Sequence, residues 1–166
     1  MSIKGLCLHE LFERRVDERP KQPALLWQGR TLSYSQVDEQ ANRLARLLRH
    51  RGLEQGMFVG LLFKRSELPI IAMLAVMKAG AAYVPLETTY PNERMAQIVE
   101  DTSMQFLISE ESLVERAKTF FEGKTVIIDS AELQFPEDGN IRLSRSETKV
   151  APQDLCYALF TSGTTG

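Results

Sequence analysis

The chain has 166 residues, of which 43% are hydrophobic and 25% charged, a composition typical of one globular domain or one lobe of a larger one. Its formal net charge of −2, without any block of Lys or Arg, excludes a whole-chain attraction to nucleic acid or to an anionic membrane. The first residues lack the apolar run of a secretion signal, and the most apolar segment is far shorter than the ~20 residues that cross a bilayer. We therefore expect a cytoplasmic protein.

The first half of the chain predicts two helices around a hairpin. Apolar residues at helical spacing begin at Leu8, and Pro20 ends that helix. Two short apolar runs on either side of Gln28-Gly29-Arg30 predict a hairpin. Ser35 with Asp38 resembles a capping box for the second helix, and Gly52 is placed to close it. The apolar face of that helix comprises Val37, Ala41, Leu44, Ala45 and Leu48.

The second half alternates strands and helices. The predicted strands are 57–63, 82–85 (ending at Pro85), 106–108, 126–128 and 155–160. The predicted helices are 68–77 (capped by Ser66), one that starts near Pro91 with Met95, Ile98 and Val99 on its apolar face, and 110–121. Residues 131–153 are polar and predict a long connection. Strands separated by helices predict an α/β fold of βαβ units with right-handed crossovers and a mainly parallel sheet.

Isolated titratable and aromatic residues give weaker predictions. Cys7 and Cys156 lie far apart and match no metal or redox spacing, which favours two free thiols over a disulfide between them. For His9 and His50 a surface or helix-terminus position is predicted. Trp27 and Phe106 are expected to belong to the core. None of these residues is predicted to be catalytic, and no metal site is predicted within the chain.

The last six residues have a composition that suits phosphate binding. In a parallel sheet, ligands bind beyond the carboxyl ends of the strands, and the final predicted strand leads directly into this segment. Gly163 and Gly166 allow the main chain to approach an anion with its N–H groups, and Thr161, Ser162, Thr164 and Thr165 add small hydroxyl donors. The segment fits neither the P-loop nor the dinucleotide fingerprint. On these residues alone, a solvated turn without a ligand remains an equal alternative.

Three segments resemble the adenylate-forming superfamily, which includes acyl-CoA synthetases, luciferases and the amino-acid adenylation domains of nonribosomal peptide synthetases. Residues 155–166 resemble its signature motif. Residues 77–86 with 90–95 are similar to the second core motif of the peptide-synthetase branch, and residues 32–34 with 41–45 to the first. Glu87-Thr88 departs from the Asp-Pro that is usual in this branch. Within these motifs, Gly80 is expected to close a helix and Glu93 and Arg94 to lie on a solvated first turn.

The resemblance implies that residues 1–166 are the N-terminal portion of an adenylation domain, with a further portion and a small lid domain beyond Gly166. Such a domain activates an amino acid with Mg-ATP and transfers it to the phosphopantetheine thiol of a carrier protein. Residues 161–166 would bind the β- and γ-phosphates, whereas the ligands of Mg²⁺ and the catalytic residues would lie beyond the chain. Expressed alone, the chain is expected to be inactive and prone to aggregation, because its sheet would have an open edge.

Other functions remain open on the sequence. An acyl- or aryl-acid ligase of the same superfamily is the near alternative, and a non-enzymatic interaction module with the same fold is a more distant one. In the family that the motifs resemble, a small MbtH-like helper protein binds near the second core motif, which would place it near Ala81 and Ala82.

Overall fold

The computed structural model describes residues 5–129 and 140–161. Its helices are α1 (Leu8–Glu18), α2 (Tyr34–His50), α3 (Leu68–Lys78), α4 (Asn92–Thr102), α5 (Val114–Ala117) and α6 (Arg145–Thr148), with a 3₁₀ turn at Glu111–Leu113. Its strands are β1 (Pro23–Trp27), β2 (Arg30–Ser33), β3 (Phe58–Leu62), β4 (Ala82–Leu86), β5 (Phe106–Ser109) and β6 (Lys124–Ile127). In the described residues, no helix has the length and apolarity needed to cross a membrane.

The strands form the predicted parallel sheet and a separate hairpin. Four strands pair in the order β4-β3-β5-β6, and each pair is parallel. β1 and β2 pair antiparallel around Gln28 and Gly29, which both have positive φ, as a two-residue hairpin turn of this kind requires. The prediction of an α/β fold with a mainly parallel sheet is confirmed.

Helices cover both faces of the sheet. One hydrophobic cluster joins α2 and α3 to alternate residues of β3 and β5, such as Val59 and Phe106. A second cluster joins α4 and α5 to the opposite face, which includes Leu62 and Leu107. Gly60 lies on this second face, where a Cβ would come within 2.8 Å of the Leu107 side chain. The predicted apolar face of α2 is fully buried, and α3 is the predicted buried helix.

The helix ends follow the sequence signals with two corrections, at the starts of α2 and α3. Glu67 instead of Ser66 occupies the N-cap position of α3, although the Ser66 hydroxyl accepts a hydrogen bond from the Leu68 amide at 3.3 Å. Gly52 and Gly80 close α2 and α3 with positive φ, as predicted. The capping box of α2, however, uses Ser33 and Gln36 instead of Ser35 and Asp38. The helix begins as soon as β2 ends, so the side chain of Ser33 accepts the hydrogen bond from the amide of Gln36. Because the helix starts earlier, Asp38 takes no part in the cap, and its side chain is buried.

Two predicted elements are shorter than expected. The helix predicted for 110–121 contracts to the 3₁₀ turn and α5, after which Phe120 and Phe121 are buried and the chain returns to the sheet. The strand predicted for 155–160 forms a single parallel bridge, between Tyr83 and Tyr157. Residues 130–139 of the predicted polar connection lie outside the described residues, and its later part contains α6.

Pro85 explains why the last predicted strand stops after one bridge. Tyr83 donates its amide to Cys156, and Ala158 donates its amide to Tyr83. The next bond of a parallel ladder would need an amide hydrogen on residue 85, which proline lacks. β4 itself does not end at the proline but continues to Leu86. The nitrogen of Pro85, which carries no hydrogen, points to the outer edge of the strand, so the hydrogen bonds between β4 and β3 are not interrupted.

Four charged side chains form what we call the buried ion-pair cluster: Glu13, Asp38, Lys78 and Arg142. Lys78 is only 2% exposed, and its ammonium group pairs with Glu13 and lies 2.8 Å from Asp38 Oδ1. Arg142 Nε lies 3.0 Å from Asp38 Oδ2, which joins the segment after residue 139 to α2. The cluster therefore ties together α1, α2, α3 and a distant part of the chain.

The histidine, cysteine and aromatic residues singled out in the sequence lie only partly where they were predicted. His9 lies at the start of α1, one of its predicted positions, but it is buried rather than on the surface. Burial and the nearby charge of Lys78 lower its pKa to about 4. Phe106 is in the core as predicted, whereas Trp27 is only half-buried. Cys7 and Cys156 are free thiols, as predicted.

Candidate functional site at the carboxyl end of the sheet

The chain approaches the predicted phosphate-binding segment along the outer edge of β4. The rings of Tyr83 and Tyr157 stack with their centroids 5.8 Å apart, and the bridge between the two residues is parallel. Thr161 therefore emerges beyond the carboxyl end of β4, where it is exposed. Ser162, Gly163, Thr164, Thr165 and Gly166 lie outside the described residues, so the arrangement of the segment stays a prediction.

Two side chains that follow β4 hold the backbone where this segment begins. The hydroxyl of Tyr90 donates to the carbonyl of Phe160 at 3.3 Å. Arg94 lies on the first turn of α4, as predicted, and donates from its guanidinium to the carbonyl of Thr161 at 2.9 Å. Sequence reasoning missed this contact, because it joins Arg94 to a residue 67 positions later in the chain.

Arg116 supports the turn that carries Tyr90. This arginine belongs to α5 and donates to the carbonyls of Thr88 and Tyr90 and, at 3.2 Å, to the side-chain oxygen of Asn92. Its planar group thus fixes both the turn after β4 and the start of α4. Tyr90, Arg94 and Arg116 are called the carboxyl-end clamp below.

A crevice at the carboxyl ends of β3 and β5 is a second candidate site. The chain passes from β3 to β4 through α3 on one face and returns past β3 to β5 through α4 on the other, which makes this the switch point of the sheet. The crevice has a volume of about 560 Å³ and is lined by both basic and acidic side chains. Lys64 and Glu110 face each other across it at 3.9 Å, and Trp27 forms part of its wall.

Among residues 5–129 and 140–161, no three His, Cys, Asp or Glu side chains lie close enough together to hold a metal ion. Ala81 and Ala82, near which a helper protein was predicted, are 2% and 1% exposed. Their own side chains therefore offer no surface for docking.

Known proteins similar to this chain were found by sequence. A protein-family model described as "AMP-binding enzyme" matches residues 12–166. Gramicidin S synthase 2 of Brevibacillus brevis is 37% identical over 158 residues, which cover 95% of this chain and 3% of that protein. Tyrocidine synthase 1 of Brevibacillus parabrevis is 34% identical over 98% of this chain, and the match covers 15% of that protein. The chain thus spans a small part of the length of these relatives.

Solved structures share the fold. A structure titled as the nonribosomal peptide synthetase FmoA3 in its alpha-methyl-L-serine-AMP bound form matches with a TM-score of 0.85 at 21% identity, over 98% of this chain and 18% of that chain. The N-terminal subdomain of Klebsiella oxytoca NpsA matches with a TM-score of 0.77 at 25% identity, over 96% of this chain and 40% of that chain. The predicted fold, that of the N-terminal part of a large adenylate-forming domain, is confirmed.

Proposed function

The chain belongs to the AMP-binding enzyme family, and from that premise we propose that it is the N-terminal portion of a domain that activates an amino acid as its aminoacyl-adenylate. The observation that carries the proposal is the family match, which runs to Gly166 and so includes the predicted phosphate-binding segment. The similarity to gramicidin and tyrocidine synthases favours an amino acid as the substrate. We expect the protein to act in the cytoplasm.

The proposed reaction has two steps. A carboxylate oxygen of the amino acid attacks the α-phosphorus of ATP, the bond from that phosphorus to the bridging oxygen breaks, and pyrophosphate leaves with the bonding electrons. The thiol of a carrier-protein phosphopantetheine then attacks the acyl carbon, AMP leaves, and a thioester forms. Because negative charge grows on the departing pyrophosphate, positioning and electrostatic stabilisation should dominate the first step.

Residues 161–166 would contribute neutral donors to that step. The hydroxyls of Thr161, Ser162, Thr164 and Thr165 and the backbone N–H groups of Gly163 and Gly166 would bind the β- and γ-phosphates. When bound, Mg²⁺ would offset part of the triphosphate charge, and its ligands are expected outside this chain. For that reason the chain by itself should not form an adenylate.

Exchange of labelled pyrophosphate into ATP tests the proposal in the complete polypeptide that carries this chain. We expect exchange that depends on an amino acid, and a loss of about 100-fold in Gly163→Val, because a bulky side chain would block the approach of the backbone to the phosphates. Ser146→Ala, at an exposed position on α6, is the control. Exchange that is indifferent to Gly163→Val would contradict the assignment of the segment.

The same assay separates the alternatives. Exchange with fatty or aryl acids and none with amino acids would identify an acyl- or aryl-acid ligase, a possibility that the Glu87-Thr88 departure keeps open. No exchange with any carboxylic acid would favour an interaction module. An MbtH-like helper would have to contact exposed neighbours of Ala81 and Ala82, since both are buried. Co-expression followed by size-exclusion chromatography tests this, and separate elution would remove the helper from the proposal.

A further inference from the structure

We propose that Arg94 is a positioning residue for the phosphate-binding segment, an inference that rests on the function proposed above. The residue lies on the first turn of α4, and its guanidinium donates to the carbonyl of Thr161 at 2.9 Å. Thr161 is the first residue of the segment, so this contact fixes the peptide group at which the chain enters the segment.

The sheet does not hold this part of the backbone. The ladder with β4 ends after the bonds made by Cys156 and Ala158, because Pro85 has no amide hydrogen to continue it. Beyond that point, the contacts to the carbonyls of Phe160 and Thr161 come from the side chains of Tyr90 and Arg94. Arg94 is therefore placed to decide where the phosphate-binding segment begins.

Arg94 is itself well anchored. The turn before α4 is fixed by Arg116, which donates to the carbonyls of Thr88 and Tyr90. Asn92, at the start of the helix, receives a hydrogen bond from Arg116 and donates one to Thr119 at 2.9 Å. Neighbouring elements thus hold the helix turn that carries Arg94, which fixes the position of its backbone.

The charge of Arg94 is also available to the site. In the part of the chain that the structure describes, the guanidinium forms no ion pair, and its hydrogen bond to Thr161 occupies one of five N–H donors. The remaining donors and the charge lie beside Thr161, the first residue of the segment proposed to hold the β- and γ-phosphates, where they would favour a polyphosphate.

Steady-state pyrophosphate exchange with the complete polypeptide tests this role. In Arg94→Ala and Arg94→Gln we expect the KM for ATP to rise about tenfold, because a charged hydrogen bond that orients the segment is lost. The KM for the amino acid should change less than twofold, and the melting temperature should stay that of the wild type. Arg94→Lys should fall between the wild type and Arg94→Ala, since it keeps the charge without the planar fork.

Glu93→Gln is the matched control, because it changes one unit of charge at an exposed position on the same helix turn. If Arg94→Ala behaves like Glu93→Gln, Arg94 does not position the segment. A parallel change in the melting temperature and in both KM values would show a merely structural role and would also overturn the inference. If the wild type shows no exchange with any carboxylic acid, the proposed function fails first and this inference falls with it.

Discussion

The buried ion-pair cluster and the carboxyl-end clamp both use arginine to join distant parts of the chain, but they differ in burial. In the cluster, Lys78 and Asp38 are almost inaccessible, and each charge has an opposite charge beside it. In the clamp, Arg94 and Arg116 contact backbone carbonyls, which carry only partial charge. The cluster leaves little charge unpaired, whereas the clamp presents positive charge at the end of the sheet.

This difference separates stability from binding. Buried charges that neutralise one another fix the packing of helices, and removing one partner exposes the others to an apolar environment. A partly exposed cation that contacts a carbonyl costs little to solvate and stays available to an anionic ligand. We therefore expect substitutions in the cluster to change the free energy of unfolding alone, and substitutions in the clamp to act also on the binding of ATP.

The largest effect is expected for Lys78→Met, which leaves Glu13 and Asp38 without their shared cation. The free energy of unfolding should fall by about 3–5 kcal/mol. Urea denaturation of the protein that carries this chain measures it, and Lys118→Met is the control because its pair with Glu115 is exposed and worth at most about 1 kcal/mol. Equal effects of the two substitutions would show that burial does not distinguish the cluster.

A similar effect is expected on acidification, through His9. Its pKa is lowered from 6.5 to about 4, first by burial and then by the charge of Lys78. The unfolded chain takes up a proton near pH 6.5 while the folded protein does not, so the free energy of unfolding should decrease as the pH falls from 6.5 to 4. The loss is of the order of 3 kcal/mol.

Denaturation at several pH values measures that loss. His9→Gln, which does not titrate, should remove this part of the pH dependence. His50→Gln is the control, because His50 is exposed at the end of α2. A pH dependence that His9→Gln leaves unchanged would mean that other groups are responsible for it.

A smaller effect is expected for Arg116→Lys, which cannot reach the carbonyls of Thr88 and Tyr90 and the side chain of Asn92 together. The free energy of unfolding should decrease by about 1–2 kcal/mol, and the KM for ATP should rise, because the turn that carries the clamp loosens. Arg15→Lys, an exposed arginine paired with Glu18, should change neither. An unchanged KM would restrict Arg116 to a structural role.

The smallest effect is expected for Tyr90→Phe, which removes the 3.3 Å hydrogen bond to Phe160. Because that bond is long, the KM for ATP should rise only about twofold. Tyr157→Phe is the control, since it keeps the stacked ring. An effect larger than that of Arg94→Ala would mean that Tyr90, and not the arginine, positions the segment.

The parts of the fold that the sequence predicts are those set by local patterns. The apolar face of α2 and the glycines that close α2 and α3 depend on residues within a few positions of one another. Ser33 and Ser35 are chemically equal caps, and the choice between them depends on the residue at which β2 ends. The prediction of the start of α2 was therefore wrong. Lys78 directly follows the predicted helix 68–77 in the sequence, and its burial depends on carboxylates from two other helices.

The candidate site combines local and distant signals in the same way. The composition of 161–166 is local, and together with the predicted strand before it this composition predicts phosphate binding. The contact between Arg94 and Thr161 joins residues that are 67 positions apart, and no short pattern encodes it. Its prediction would have required the register of residues 156–158 beside β4 and the end of their hydrogen bonding at Pro85.

Pro85 also has a consequence for the chain while it is being made. The outer edge of β4 is synthesised long before residues 155–158 arrive to cover it, and a bare parallel edge can recruit a strand from another nascent chain. Because residue 85 has no amide hydrogen, the hydrogen bonding of such a foreign strand to β4 would end at the same point as that of residues 156–158. The residue that frees the last segment from the sheet therefore also protects the unfinished sheet from misassembly.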